Sequence, residues 1–144
     1  MKNARNLLIA IPFFLLSCSK GGDSPTPTPP TPPPVTPTTD VALSVTVNVD
    51  PGAGNILGVV GTSQPIIVKI SSTIPTAGVT VGVTVIKDSD NTTVFNNSIS
   101  SNTADNTITI AGLSPGALCT ATVVVTSKST ATNTKAITFK LAAK

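Results

Sequence analysis

From residue 41 onward the chain alternates apolar and polar positions with a period of two, the pattern of strands that bury one face. The first run covers residues 41–49 and has apolar residues at five alternate positions: Val41, Leu43, Val45, Val47 and Val49. Further runs of this kind lie at residues 66–70, 79–87, 94–99, 108–110, 119–125 and 137–141. Turn-forming residues separate the runs, and no helical period is present in this part of the sequence. The pattern therefore predicts seven strands and no helix.

Seven short strands in about 100 residues, with turns between them, are typical of an antiparallel β-sandwich. The apolar positions are mostly Val and Ile, which pack well on pleated sheets, and Phe139 is expected in the core. The Gly-rich segment 52–63 is predicted to be a loop. A domain of this size can bury enough apolar area to fold without a disulfide. We therefore expect an all-β, seven-stranded antiparallel sandwich over residues 41–144.

Residues 24–40 consist almost entirely of proline and threonine, and eight of the 13 prolines in the chain lie here. Proline fixes φ near −65° and has no N–H to donate, so this segment predicts a disordered, extended linker. At about 3.1 Å per residue, the linker would span on the order of 50 Å. Two other interpretations are a Pro-rich recognition ligand and a stretch of glycosylated threonines.

The first 17 residues have the parts of a secretory signal peptide. Lys2 and Arg5 supply positive charge, residues 7–16 are apolar, and the small residue Ser17 follows. The apolar stretch is well short of the roughly 20 residues that a transmembrane helix needs. The order of these parts predicts export of the chain and removal of residues 1–17.

Leu15-Leu16-Ser17-Cys18 resembles the lipobox of bacterial lipoproteins, and residues 19–23 are similar to the start of many outer-membrane lipoproteins of Bacteroidetes. The resemblance implies transfer of a diacylglyceryl group to the Cys18 thiol, cleavage before Cys18 and acylation of the new amino terminus. Each buried CH₂ of such chains contributes about 0.8 kcal/mol, so two or three chains anchor a protein stably. The expected location is the outer membrane, with the domain facing the cell exterior. The alternative is an ordinary signal peptide with an incidental cysteine.

Residues 110–125 resemble the fibronectin type III signature around strands E and F. In that signature a leucine precedes a Pro-Gly pair, and Leu113, Pro115 and Gly116 match these three residues. Cys119 stands where the family has a tyrosine. The resemblance implies an immunoglobulin-like sandwich of the fibronectin type III kind. Two departures are that cysteine cannot make the hydroxyl hydrogen bond of the tyrosine corner and that the chain has no tryptophan.

Composition limits the chemistry that the domain can perform. The chain has no His, Glu, Trp or Tyr, and its one Arg lies in the signal peptide. Without His and Glu, two of the commonest general acids and bases are missing, and we expect no catalytic residue, no cofactor and no enzyme activity. The net charge of +3 falls to +1 when Lys2 and Arg5 are removed, and no basic cluster indicates a nucleic-acid partner.

Four residues of the domain are candidate sites. Cys119 has no second domain cysteine to pair with and falls on an inward position, which favours a buried, inert thiol over a reactive one. Asp88 and Asp90 lie in an oxygen-rich cluster, residues 88–91, that could contact Ca²⁺ but is more typical of a hairpin turn; no metal site is predicted. Phe95 is the one aromatic residue expected outside the core. Phe95, Asp88 and Asp90 are therefore the candidates for weak ligand contact.

Taken together, these features predict a non-catalytic, lipid-anchored cell-surface module. It would act in adhesion, in display, or as an accessory binding component of an outer-membrane assembly, with a surface protein or a glycan as partner. One alternative is a self-assembling surface subunit in which residues 41–49 pair with the sheet edge of a neighbour. Another alternative is a carbohydrate-binding domain.

Mass spectrometry of the purified mature protein tests the anchor. We expect a chain that begins at Cys18 and carries acyl groups, because the lipobox resemblance places both cleavage and acylation there. A mature chain that begins at another residue, or that carries no lipid, would contradict this interpretation.

Overall fold

A computed structural model describes residues 40–144, which form an all-β domain with no helix in that range. The predicted signal peptide, Cys18 and the linker up to residue 39 lie outside the described residues. The strands are β1 (Val45–Val47), β2 (Ile56–Val59), β3 (Gln64–Ile70), β4 (Val79–Lys87), β5 (Thr93–Ser101), β6 (Asp105–Ile110), β7 (Leu118–Ser127) and β8 (Thr134–Ala143). The all-β prediction is thus confirmed for the described part of the chain.

The eight strands form two sheets. One sheet has three strands in the order β1-β3-β6, and the other has five in the order β2-β8-β7-β4-β5. Contacts between β1 and β8 and between β4 and β6 join the two sheets into a sandwich. The ladders are antiparallel except for β2 and β8, which pair in parallel.

The core lies between the sheets because alternate residues of each strand point to the same side. In the five-stranded sheet, Val81 and Val83 of β4 face Val125 and Val123 of β7, and all four side chains are fully buried. The three-stranded sheet covers them with buried isoleucines and valines of β3 and β6. The outward residues of β4 and β7 are largely threonines, so each strand has one apolar face and one mixed face.

The structure corrects the predicted strand count, because the Gly-rich segment 52–63 contains a strand. Ile56–Val59 pairs in parallel with residues 140–143 of β8, so the domain is not wholly antiparallel. Ile56 is 54% exposed and only Val59 of this strand is fully buried. An edge strand with so little buried surface shows no alternation in its sequence, which is why the pattern missed it.

The first strand is shorter than predicted. Residues 41–49 were expected to be one strand, but only Val45–Val47 pairs with β3, and Val41 is 60% exposed. Past Val47, the Asn48 N–H still donates to the Ile67 carbonyl at 3.1 Å, but the Ile67 N–H bonds the Asn48 side-chain oxygen at 2.7 Å instead of a backbone carbonyl. The alternation correctly placed Leu43, Val45 and Val47 in the core, but it could not show where the ladder ends.

Five strands, β3 and β5 to β8, are longer than their apolar residues indicated, and β5 and β6 illustrate the reason. β5 extends over Thr93–Ser101 and β6 over Asp105–Ile110, whereas residues 94–99 and 108–110 were predicted. The added residues are Ser, Thr, Asn and Asp, which favour turns in isolation. Here the ladders to β4 and β3 hold them in extended conformation.

Substitution of two adjacent isoleucines of β3 tests the assignment of the faces. Ile66 is fully buried and Ile67 is 38% exposed. Ile66→Ala should lower the free energy of unfolding by about 2–5 kcal/mol because it leaves a cavity. The matched variant Ile67→Ala should cost less than about 1 kcal/mol. Denaturant unfolding measures both, and equal losses would contradict the assigned register.

Candidate functional site

Two groups of polar side chains lie at opposite ends of β7. One group surrounds Asp88 and includes Thr120, near the start of β7. The other surrounds Asp40 and includes Ser127, the last residue of β7. We call them the Asp88 cluster (Asp88, Thr120 and Lys140) and the Asp40 cluster (Asp40, Ser127 and Ser129).

In the Asp88 cluster one carboxylate is held by two neighbouring strands. Lys140 Nζ of β8 lies 2.6 Å from Asp88 Oδ2, and the Thr120 hydroxyl of β7 donates to Asp88 Oδ1 at 2.6 Å. Lys140 Nζ also lies 2.7 Å from Thr120 Oγ1. These hydrogen bonds hold the pKa of Asp88 below its ordinary value, and the bond from Lys140 contributes most. Both carboxylate oxygens therefore already have partners from the protein.

Asp90 belongs to the turn between β4 and β5. Its Oδ1 accepts the Thr92 N–H at 3.0 Å, and Lys87 Nζ lies 3.1 Å from its Oδ2. Hydrogen bonds from the Thr92 side chain and backbone, with a smaller contribution from Lys87, lower the pKa of Asp90 to about 2. Asn91 adopts the left-handed conformation with φ of 57°, which asparagine tolerates in turns.

The predicted hairpin turn is therefore present at residues 88–91. Asp88 and Asp90 bond different partners rather than converging on one point. Among residues 40–144, no three carboxylate or cysteine side chains come together in a way that could hold a metal ion. The oxygen-rich sequence is explained by the geometry of the turn and by its two lysine contacts.

Phe95 and Cys119 both lie on the inner face of the five-stranded sheet. Phe95 of β5 is opposite Val85 of β4, is half-buried and packs against the margin of the core. Cys119 is buried on β7, as predicted, and burial raises the pKa of its thiol. The nearby charge of Asp88 raises that pKa further, which disfavours the reactive thiolate.

The Asp40 cluster fixes the point where the chain enters the domain. The hydroxyls of Ser127 and Ser129 donate to Asp40 Oδ2 at 2.5 and 2.8 Å. These hydrogen bonds hold the pKa of Asp40 below its ordinary value, and the bond from Ser127 contributes most. Ser127 is buried, and its hydroxyl oxygen also accepts the Ser129 N–H. Asp40 is thus attached to the connection between β7 and β8.

Asn133 reinforces this attachment. Its side-chain oxygen accepts the Leu43 N–H at 3.0 Å, and its amide donates to the Val41 carbonyl at 2.9 Å. The side chain of one asparagine therefore makes the hydrogen bonds to the backbone of residues 41–43 that a neighbouring strand would otherwise make. Sequence reasoning missed both contacts because the partners lie about 90 residues apart. The one feature of the sequence that pointed to such a contact is Asp40 itself, a lone aspartate at the end of the Pro/Thr segment.

A shallow cleft of about 290 Å³ lies beside the Asp40 cluster. It is lined by Asp40, Val41, Thr73, Ile74, Pro75, Thr76 and Ser129. Its lining is partly apolar, and its one carboxylate is the one that Ser127 and Ser129 already bond.

No protein-family model matches the chain, and no curated protein matches its sequence. Within residues 40–144 there is no helix of the length and apolar character needed to span a membrane.

Titration of Asp90 tests the geometry of the turn. Its pKa is lowered from 3.8 to about 2, so it stabilises the fold above pH 3.8 and loses that contribution as the pH falls through about 2. NMR of the carboxyl carbon should give a midpoint near 2. Thr92→Val should raise the midpoint towards 3.8, whereas Thr93→Val, one residue further on, should leave it unchanged. A wild-type midpoint near 3.8 would show that the turn does not hold this carboxylate.

Proposed function

We propose that this protein is a non-catalytic module held at the cell surface by lipid on Cys18. It presents its β domain for adhesion, for display, or for accessory binding in an outer-membrane assembly. The lipobox-like sequence supports the anchor, and the Pro/Thr-rich segment supports a linker between anchor and domain.

The observation that carries the proposal is the attachment of Asp40 and residues 41–43 to one end of the domain. Asp40 is bound where β7 ends, and the β3–β4 connection lies at the same end because Val79 of β4 pairs with Ser127. A tether that reaches the domain through residue 39 therefore joins this end. The connections 60–63, 88–92 and 111–117 lie at the other end, where β4 ends and β3 and β7 begin. These three loops are the surface that we propose for partner binding.

The arrangement of the polar groups supports a non-catalytic role. The carboxylates of Asp40, Asp88 and Asp90 are each bound by hydroxyl, amide or ammonium groups of the domain itself. Cys119 is buried with a raised pKa. A nucleophile next to a base is the usual basis of covalent catalysis, and this chain has no histidine to act as that base.

We further propose that the domain is immunoglobulin-like, of the fibronectin type III kind. The order β1-β3-β6 in one sheet, and the order β8-β7-β4 within the other, are those of an A-B-E sheet and a G-F-C sheet in such folds. β2 and β5 are additional strands at the two edges of the five-stranded sheet. In the segment that carries the resemblance, Leu113 is buried and Gly116 has a positive φ of 76°. The Gly116 N–H also bonds the Ala143 carbonyl at 2.9 Å, which ties this turn to the end of β8.

Protease treatment of intact cells that express the full chain tests the location. We expect external protease to remove the domain from intact cells, because the linker and the domain would face outwards. A periplasmic marker protein should survive in the same cells. A domain that is cleaved only after the cells are lysed would contradict surface display.

A pair of cysteine variants tests the anchor in the same cells. Cys18→Ala should abolish incorporation of labelled fatty acid into the chain, because no thiol remains at position 18 to take the lipid. Cys119→Ala is the matched control and should still incorporate the label, since Cys119 is buried in the domain. A Cys18→Ala chain that incorporates as much label as the control would overturn the proposed anchor.

A further inference from the structure

β5 is an edge strand with unusually little protection. It pairs with β4 on one side only and extends over nine residues, Thr93–Ser101. The other edge strands of the described domain are shorter: β1 has three residues, β2 four and β6 six. Proteins usually protect an edge by shortness, charge, proline or a bulge. β5 contains no charged residue and no proline, and its one irregularity lies near its start, where it meets Val85 and Ile86.

The free edge of β5 has backbone groups that no neighbouring strand holds. The Ser98 N–H takes its own neighbour, the Asn97 side-chain oxygen, as acceptor at 2.8 Å. Backbone groups alternate in direction along a strand, so the groups of Asn96 and Ser100 point the same way as those of Ser98. The register shift opposite Val85 and Ile86 interrupts this alternation at Val94. The intervening residues direct their backbone groups towards β4.

The side chains of β5 are self-complementary about Asn97. If two copies of the strand run antiparallel with Asn97 opposite Asn97, Phe95 of each copy lies opposite Ile99 of the other. Both residues are half-buried and pack at the margin of the core, so their remaining exposed surface would be covered. Asn96 would lie opposite Ser98, and no like charges would meet anywhere along the strand.

We propose that two copies of this chain pair through β5 about a two-fold axis at Asn97. Asn96 of each copy and Ser98 of the other then form the hydrogen-bonded pairs next to the axis, for a total of about four backbone hydrogen bonds. Phe95 with Ile99, and Asn97 with its symmetry mate, form the close non-hydrogen-bonded pairs. The two five-stranded sheets become one continuous sheet across the axis.

This edge is better suited to pairing than residues 41–49. Only Val45–Val47 of that segment forms a strand, and Asn133 already binds the backbone of Val41 and Leu43. The pairing uses residues of the domain alone and does not rest on the lipid anchor. Failure of the anchor test would leave β5 pairing intact, and failure of β5 pairing would leave the anchor intact.

Cysteine cross-linking of the full chain, in the cells that make it, tests the proposed axis. A non-hydrogen-bonded antiparallel pair places its Cα atoms about 4.5 Å apart, within the range that a disulfide spans. Asn97→Cys should therefore give a disulfide-linked dimer on mild oxidation. Thr107→Cys on the edge strand β6 is the matched control and, like the unmodified chain, should give several-fold less dimer. Equal yields from the two variants would overturn the proposal.

A charge swap at the same position provides a second measurement that does not depend on oxidation. Asn97→Lys places like charges opposite each other and should raise the dimer dissociation constant roughly fivefold. An equal mixture of Asn97→Lys and Asn97→Asp chains should restore association, which sedimentation of the detergent-solubilised full chain can measure. Thr107→Lys, the same charge on another edge, should leave association unchanged. A wild-type chain that sediments as a monomer at all concentrations, or a mixture that fails to associate, would overturn the proposal.

Discussion

The buried valines of β4 and β7 hold this domain together. They lie opposite each other at the centre of the five-stranded sheet, and the three-stranded sheet packs over them. Full burial of one such side chain contributes about 1.5–3 kcal/mol. The described domain has one thiol, which is buried and free, and a single buried aromatic side chain, Phe139. Its stability therefore depends on many small aliphatic contacts in correct register, since a shift of one residue would turn every inward valine of a strand outwards.

Where the backbone ladders end, side-chain hydrogen bonds hold the chain in place. Asn133 and the two serines of the Asp40 cluster fix the entry of the chain, and Lys140 and Thr120 fix Asp88 near the other end of the sheet. A force applied through the residues before Asp40 would thus act on a side-chain network attached directly to the β7–β8 connection. That arrangement suits a domain whose proposed role is to be held at one end and to meet a partner at the other.

The sequence predicted the elements whose stability comes from burial of one face. The alternating valines of residues 79–87 and 119–125 placed β4, β7 and the inward Cys119 correctly. β2 was missed because it is an edge strand with one fully buried residue and owes its conformation to parallel pairing with β8. The contacts of Asp40 and Asn133 were missed because they join residues far apart in sequence, and no local pattern encodes such a pairing. The turn at residues 88–91 was predicted because Asp and Asn favour turns locally.

The strands differ in how far the rest of the domain supports them. β4 and β7 have neighbours on both sides and above, whereas β2 has one neighbour and little buried surface. Native-state hydrogen exchange followed residue by residue measures this hierarchy directly. If the valine ladder holds the fold together, the amides of β4 and β7 should exchange only through global unfolding, and those of β2 should exchange much faster through local opening. Amides of β4 that exchange as fast as those of β2 would contradict that conclusion.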